Sequence, residues 1–324
     1  MTELHNEFAY SCSRSDSFYQ CPRRFYWQHY GFWLGWEDDA PREAQIAYRL
    51  KHIRSLAMLI GDVVHAVISD ALRARPDHPV GVPADAMQHD AEAGLREHLA
   101  ASRERRWKSG SPKYYTNLFE DYYGPGLSSQ ETREAFEVVR DCVAGFAKSG
   151  FGKRAFGVEK SHLRLIDPEA FDDKRAVLDG LTVYAPTDLL VEGKDGASLH
   201  IVDWKTGRQH QASLAQLAVY GLAVSAKHHV PIAKLTAHLV YVRNGAHEEY
   251  RDLTAGVEEA RRAIDTFVRD VQGRLTDITT NTAGDIEKFP MTTQVWKCRS
   301  CKFRELCGRM GEPALVPAEE LETD

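Results

Sequence analysis

No uninterrupted apolar run approaches the ~20 residues that a membrane-spanning helix needs. The first ten residues lack the basic-then-apolar order of a secretion signal. Low-complexity tracts and clear internal repeats are missing. So is the G-x-x-x-x-G-K-[ST] loop that would mark a helicase-type nucleotide site. Positive charge is not in excess either, the formal net charge being −6 at pH 7. These absences set the expectation of a cytoplasmic globular chain with no membrane partner, and they exclude a general polyanion coat. They leave room for nucleic acid, because a basic groove can lie on an acidic protein. Cysteine is sparse, six in 324 residues. Without a signal segment, such cysteines read as metal ligands or free thiols rather than as a disulfide scaffold. The length suits a large core in one to three domains.

What is present centres on Leu199–Gly207, Leu-His-Ile-Val-Asp-Trp-Lys-Thr-Gly. An apolar strand pattern runs into Asp203 and Lys205 and stops at a Thr-Gly break. Side chains in a strand alternate faces, so Asp203 and Lys205 share one face and Trp204 takes the other. A carboxylate beside an ammonium at a strand end can hold a divalent metal and steer a water, the chemistry of phosphodiester hydrolysis. A solvated surface ion pair gives the same tripeptide.

The preceding residues sharpen this reading. Leu178 to Val191 reads as one or two strands containing Asp188, and Gly193–Ala197 carries an Asp-Gly hairpin signal. If Asp195 and Gly196 form a two-residue turn with Lys194 opposite Ala197, then Asp188 falls directly opposite Asp203. Their Cβ atoms would lie roughly 5 Å apart. Like charges so placed repel unless a cation bridges them, which points to a metal.

Elsewhere the periodicity predicts helices over 56–75, 84–106, 129–148, 212–226 and 253–274, and strands over 158–165 and 235–242. His65 lies four residues after Gly61 in the first of these helices, and the helix cost of that glycine suggests a close neighbour. Gln216 and Tyr220 lie four apart on an otherwise apolar helix face. Two segments interleave cations with aromatics: Ser13–Trp27, with Arg23 and Arg24, and 103–115, with Arg105, Arg106, Trp107 and Lys108. Each fits a nucleic-acid backbone with stacked bases and equally fits core aromatics beside solvated charges. Near the C-terminus Cys298, Cys301 and Cys307 form C-x2-C-x5-C, a soft-metal pattern lacking a fourth thiolate. Cys21 is the natural fourth, ahead of Cys12 and of Cys142 in its helix. Such a site would join the two ends of the chain. Residues 311–324, Pro- and Glu-rich, read as a flexible tail.

Taken in order, Gly61-x-x-x-His65, Pro186-Thr187-Asp188, Ile201-Val202-Asp203-Trp204-Lys205-Thr206-Gly207, Gln216-Leu217-x-x-Tyr220 and the split cysteine set resemble the RecB-like branch of the PD-(D/E)XK nucleases. The likeness is to its iron–sulfur members: the CRISPR-associated adaptation exonucleases and the nuclease domains of AddB-type recombination proteins. The resemblance implies an α/β, restriction-endonuclease-like core, with a mixed central β-sheet flanked by helices, a helical insertion and a cysteine-ligated terminal cluster. It implies Mg²⁺ or Mn²⁺ on His65, Asp188, Asp203 and the main-chain carbonyl of Trp204. Lys205 would act on the attacking water, with Gln216 and Tyr220 supporting the scissile strand. Cys21, Cys298, Cys301 and Cys307 would hold a [4Fe–4S] cluster, with structural Zn²⁺ as the alternative.

The expected organisation is one integrated nuclease domain. It comprises an N-terminal segment (1–55), a helical region (56–150), a nuclease core (151–245), a C-terminal helix with the cysteines (246–310) and the tail (311–324). The expected activity is metal-dependent cleavage of DNA, at ends or on single strands, in repair, recombination, CRISPR adaptation or phage-related processing. A helicase or a CRISPR-adaptation protein is the expected partner. A non-catalytic DNA-binding scaffold subunit is the alternative.

Overall fold

A computed structural model describes residues 4–167, 174–208 and 213–311. The first half contains β1 (Ala9–Tyr10), α1 (Cys12–Gln20), α2 (Pro22–Tyr26), α3 (Arg42–Lys51), β2 (Ile53–Arg54), α4 (Leu56–Ala74), α5 (Ala84–Arg103), β3 (Asn117–Leu118), α6 (Phe119–Tyr123), α7 (Ser129–Lys148) and α8 (Gly150–Gly157). The second half contains β4 (Leu163–Ile166), β5 (Arg175–Leu178), β6 (Leu181–Tyr184), β7 (Leu189–Glu192), β8 (Leu199–Lys205), α9 (Leu214–His228), β9 (Leu235–Tyr241), β10 (Ala246–Tyr250), α10 (Val257–Gln272), β11 (Leu275–Asp277) and β12 (Thr282–Ala283).

Local chemistry starts the helices that carry the core. Ser55 caps α4 by accepting the Met58 N–H, and Ser128 with Glu131 closes a capping box on α7. Leu59, Val63, Val64, Ile68 and Leu72 of α4 are buried, a stripe at three- and four-residue spacing. That stripe packs with α5, α7 and one face of the central sheet in a single apolar cluster.

The central sheet has five strands in the order β10-β9-β8-β7-β4, with β8 and β9 parallel and the other pairs antiparallel. Alternation along β8 divides the two layers. Val202 and Trp204 face α4, α5 and α7, whereas Leu199 and Ile201 pack with Leu217 of α9. Trp204 is buried, its ring edge-on to Phe146 and Phe151 at 5.2 and 5.7 Å. Packing of this kind contributes roughly 1.5–3 kcal/mol per large side chain. Gly145 lets α7 approach the end of β9, since a Cβ there would lie 2.0 Å from the Val242 carbonyl. On the α7/α8 side, His200, His238 and His247 of three adjacent strands form a chain, with 2.8 Å between Nδ1 of His200 and Nε2 of His238 and 2.9 Å between Nδ1 of His238 and Nε2 of His247.

Several expectations shift. The strand expected over 158–165 is a 3₁₀ turn at Lys160–His162 followed by the short β4. The segment 178–191 is broken at Asp179-Gly180, both at positive φ (50° and 83°), which turns β5 into β6. Those two strands leave the central sheet and join β1 in a second, three-stranded one. The helix from 84 ends at Arg103, because Arg105 takes a left-handed conformation with φ 55°. The helix expected over 212–226 is α9, shifted to 214–228, and residue 212 lies outside the described residues. Of the expected tail, residues 312–324 also lie outside them.

Candidate active site

Strands β7 and β8 pair Leu189 with Val202 and Glu192 with Leu199. The turn between them is wider than two residues. Gly193 N–H donates to the Ser198 carbonyl at 2.9 Å, and Lys194–Ala197 form a four-residue loop fastened by Asp195 Oδ1, which accepts from the Ala197 and Ser198 amides. The register is the same as a two-residue turn would give, because one residue was added on each side. Asp188 lies one position before β7, and the register continued by that one residue sets it opposite Asp203.

Around these carboxylates the geometry is tight. His65 Nδ1 lies 3.1 Å from Asp188 Oδ1, joining α4 to the sheet edge. Trp204 N–H donates to Asp188 Oδ2 at 2.6 Å, so the part of Trp204 that meets the site here is its amide. Lys205 Nζ lies 2.5 Å from Asp203 Oδ2, and its charge and hydrogen bond both act on that carboxylate. The Asp188 and Asp203 side chains are only 15% and 19% exposed. Burial first, and then the Asp188 charge, raise the Asp203 pKa, with Lys205 and His65 opposing. Burial alone would lower His65; the hydrogen bond and charge of Asp188 outweigh it and raise the imidazole.

Tyr220 of α9 lines a small crevice with Thr187, Asp203 and Leu217. Burial, then the Asp203 charge, push its hydroxyl up, and it is hydrogen-bonded to Gln216. Gln216 and Tyr220 therefore belong to the wall behind the carboxylates. The close neighbour expected at Gly61 is Thr206, which follows β8, at 3.5 Å from a built Cβ. This is ordinary contact, so the glycine is not forced by crowding. Sequence reading missed Asp167. Its amide donates to the Asp188 carbonyl at 2.8 Å, and burial followed by the Asp188 charge raises its pKa. The only signal for it was a strand end at Ile166-Asp167-Pro168.

The basic-aromatic segments need correcting. Arg23 is buried, donating Nε–H to the Phe289 carbonyl at 2.7 Å and pairing with Glu287 at 3.2 Å, so it fastens the N-terminal segment rather than meeting solvent. Arg106 is engaged by Glu97 and Glu104, and Trp107 is buried against Tyr122 at 5.6 Å. Arg24, Arg105 and Lys108 are exposed.

Cys301 and Cys307 pack against Trp27, Phe32, Phe119 and Phe303, in a cluster drawn from both ends of the chain. Burial first, then Cys21 and Cys298, raise the Cys301 thiol, and burial followed by Cys301 and Cys21 raises Cys307 to about 11. Four thiols therefore feel one another. Cys12 lies instead beside Tyr10, and Cys142 is buried in the helical layer.

No set of three or more His, Cys, Asp or Glu side chains among the described residues is gathered at metal-ligand distances. The donors still suit the expected groups in kind. Two carboxylates and an imidazole match a hard divalent cation, and clustered thiols match iron–sulfur or zinc. A family model described as PD-(D/E)XK nuclease superfamily matches residues 9–308. No curated protein matches the chain.

Proposed function

The chain belongs to the PD-(D/E)XK nuclease superfamily, and on that premise we propose that it hydrolyses phosphodiester bonds of DNA with a divalent cation, acting on ends or single strands. The observation that carries this reading is Asp203: a buried carboxylate set opposite Asp188 and 2.5 Å from the Lys205 ammonium. Two acids in that position are costly in the free protein and suited to a cation.

Asp188, Asp203 and His65, with the Trp204 carbonyl, would hold Mg²⁺ or Mn²⁺. When bound there, such an ion would supply Lewis acidity at phosphorus and acidify a water. Lys205 orients that water and steadies the charge that develops on the phosphate oxygens. Tyr220 and Gln216 brace the wall on which the scissile strand rests. Cys21, Cys298, Cys301 and Cys307 would hold a [4Fe–4S] cluster, or zinc in its place, pinning the ends of the chain. The motif resemblance to the RecB-like iron–sulfur branch favours work in repair, recombination or CRISPR adaptation beside a helicase or an adaptation protein.

The test is a panel of end-labelled single- and double-stranded DNAs with Mg²⁺ or Mn²⁺, wild type against Asp203→Ala. Metal-dependent cleavage lost in the variant, with DNA binding kept, supports the reading. Binding without cleavage of any DNA by the wild type would replace it with a scaffold role.

A further inference from the structure

Asp188 is held by its main chain as well as by its side chain. The β4–β7 ladder pairs Ile166 with Leu189, and one residue further on the Asp167 N–H donates to the Asp188 carbonyl at 2.8 Å. At that residue β4 leaves the extended conformation, since Asp167 has φ 25°. Positive φ is strained for a residue other than glycine and persists only where neighbouring groups hold the backbone.

Arg73, near the C-terminal end of α4, does the holding. Its Nη2 donates to the Ile166 carbonyl at 3.3 Å and to the Asp167 carbonyl. Its Nη1 donates to Asp70 at 2.9 Å, one turn earlier on the same helix, and the Asp167 carboxylate stands 4.0 Å from Nη2. Lys160 fastens this end of α4 in turn, donating from Nζ to the Arg73 carbonyl at 2.7 Å and to the Arg75 carbonyl at 3.2 Å. The planar fork of a guanidinium suits several acceptors at fixed positions, which a single ammonium cannot grip together.

His65, Ser69 and Arg73 follow one another at four-residue spacing and so share one face of α4. Ser69, between the other two, is 1% exposed, so this face is closed against the rest of the protein. At one end His65 Nδ1 lies 3.1 Å from Asp188 Oδ1. About 12 Å further along the axis, Arg73 grips the strand end whose amide holds the Asp188 carbonyl. One helix therefore reaches Asp188 by two routes, the first through its carboxylate and the second through its main chain.

We propose that Arg73 is a positioning residue for the cation site: by clamping Ile166 and Asp167 it fixes the main chain of Asp188, and so keeps that carboxylate opposite Asp203. The inference rests on the nuclease reading and adds to it a residue that acts through Asp167 without touching the cation or the DNA. Groups that orient the ligands of a metal typically contribute about 10–100-fold to its affinity. Lysine at this position keeps the charge and loses the fork, so it replaces arginine only in part.

The experiment is a Mn²⁺ titration followed by the electron paramagnetic resonance signal of the free ion. It compares wild type, Asp203→Asn, Arg73→Met, Arg73→Lys and Arg75→Lys, each also melted in EDTA. Fluorescence anisotropy of a labelled single-stranded oligonucleotide in EDTA, across a series of KCl concentrations, accompanies it. The Mn²⁺ whose binding Asp203→Asn removes is the ion at the carboxylates. Arg73→Met should bind that ion about tenfold more weakly or worse, with the salt slope of DNA binding unchanged. Arg73→Lys should recover part of the affinity. Arg75 donates to the Ala155 carbonyl at 2.7 Å, away from Asp188; Arg75→Lys should melt lower and bind Mn²⁺ like wild type, which separates positioning from general loss of stability. Wild-type affinity in Arg73→Met, with Asp203→Asn still losing the ion, overturns the proposal and leaves the nuclease reading intact. If Arg73→Met does not fold, Arg73→Lys decides, and wild-type affinity there overturns the proposal. A log–log salt slope smaller by about 0.7 with Mn²⁺ affinity kept assigns Arg73 to a DNA phosphate and likewise overturns it. A wild type from which Asp203→Asn removes no bound Mn²⁺ overturns the nuclease reading together with this inference.

Discussion

Asp188 lies one residue outside strand β7, yet the β7–β8 register continued by that residue sets it opposite Asp203. His65 and the Trp204 amide steady one acid and Lys205 the other. The pair therefore costs stability and stands ready for a cation. In Asp203→Asn the repulsion and part of the burial penalty disappear. The metal-free variant should melt no lower than wild type, the rise in melting temperature on adding Mn²⁺ should vanish, and cleavage should fall by at least about 10³-fold. Thermal melts with and without Mn²⁺ check this. A variant that melts lower in EDTA and still responds to Mn²⁺ would contradict it.

Lys205→Met separates chemistry from metal binding. Removing one charge-stabilising donor costs about 10²–10³-fold in turnover. The Mn²⁺-induced melting shift should persist, since the two carboxylates and His65 remain. Single-turnover cleavage rates beside the melts read both effects, and loss of the Mn²⁺ shift would count against this division of roles.

Arg23→Ala tests the corrected role of the N-terminal cations. The side chain makes a charged hydrogen bond to the Phe289 carbonyl and an ion pair with the exposed Glu287. Its loss should lower stability by about 1.5–3 kcal/mol and leave the salt slope of DNA binding unchanged. Urea unfolding and anisotropy decide; a stable variant with a smaller slope would return Arg23 to the DNA.

The chain of His200, His238 and His247 predicts a pH dependence. Burial lowers all three, and neighbouring imidazoles take His238 down to about 3. Arg154 and Glu249 also act on the chain, in opposite senses, and Asp195 acts on His200. A folded-state pKa below the unfolded value means that the unfolded chain binds more protons. The stability is thus fully present above about pH 6.5 and is lost as pH falls below it. The loss amounts to as much as about 1.4 kcal/mol per pH unit for each such proton. Urea unfolding at pH 7 and pH 5 should show it, and His238→Gln should reduce the difference. The same pH slope in both proteins would dismiss the imidazole chain as its source.

For the cysteines, oxygen-free purification should give broad visible charge-transfer absorbance, lost in Cys21→Ser and Cys301→Ser and kept in Cys142→Ser. A colourless protein with stoichiometric zinc would instead make the site a structural clip.

Much of this site could be read from residue order. Alternation along Leu199–Lys205 gave the faces of Asp203, Trp204 and Lys205, and the Asp-Gly turn gave the register, because lengthening a hairpin loop evenly leaves the pairing unchanged. Other features depend on distant partners. Whether Arg23 meets solvent or the Phe289 carbonyl is decided by a segment more than 250 residues away. Asp167 was invisible for the same reason, since nothing local marks an acid at a strand end. The division of 178–191 into two sheets turned on the break at 185–188 between β6 and β7, which composition alone does not distinguish from a bend within one strand.

The closure between the two ends of the chain also sets an order of events during synthesis. Arg23 is held by Phe289 and Glu287, and Trp27 and Phe32 share a cluster with Phe303. The aromatic segment made first therefore waits, exposed, until almost the last described residues leave the ribosome, and contacts this remote in sequence form slowly. A chain cut short before that point lacks the partners of its own N-terminus. If the cleavage chemistry is as proposed, an unfinished product is unable to assemble this closure around a working nuclease.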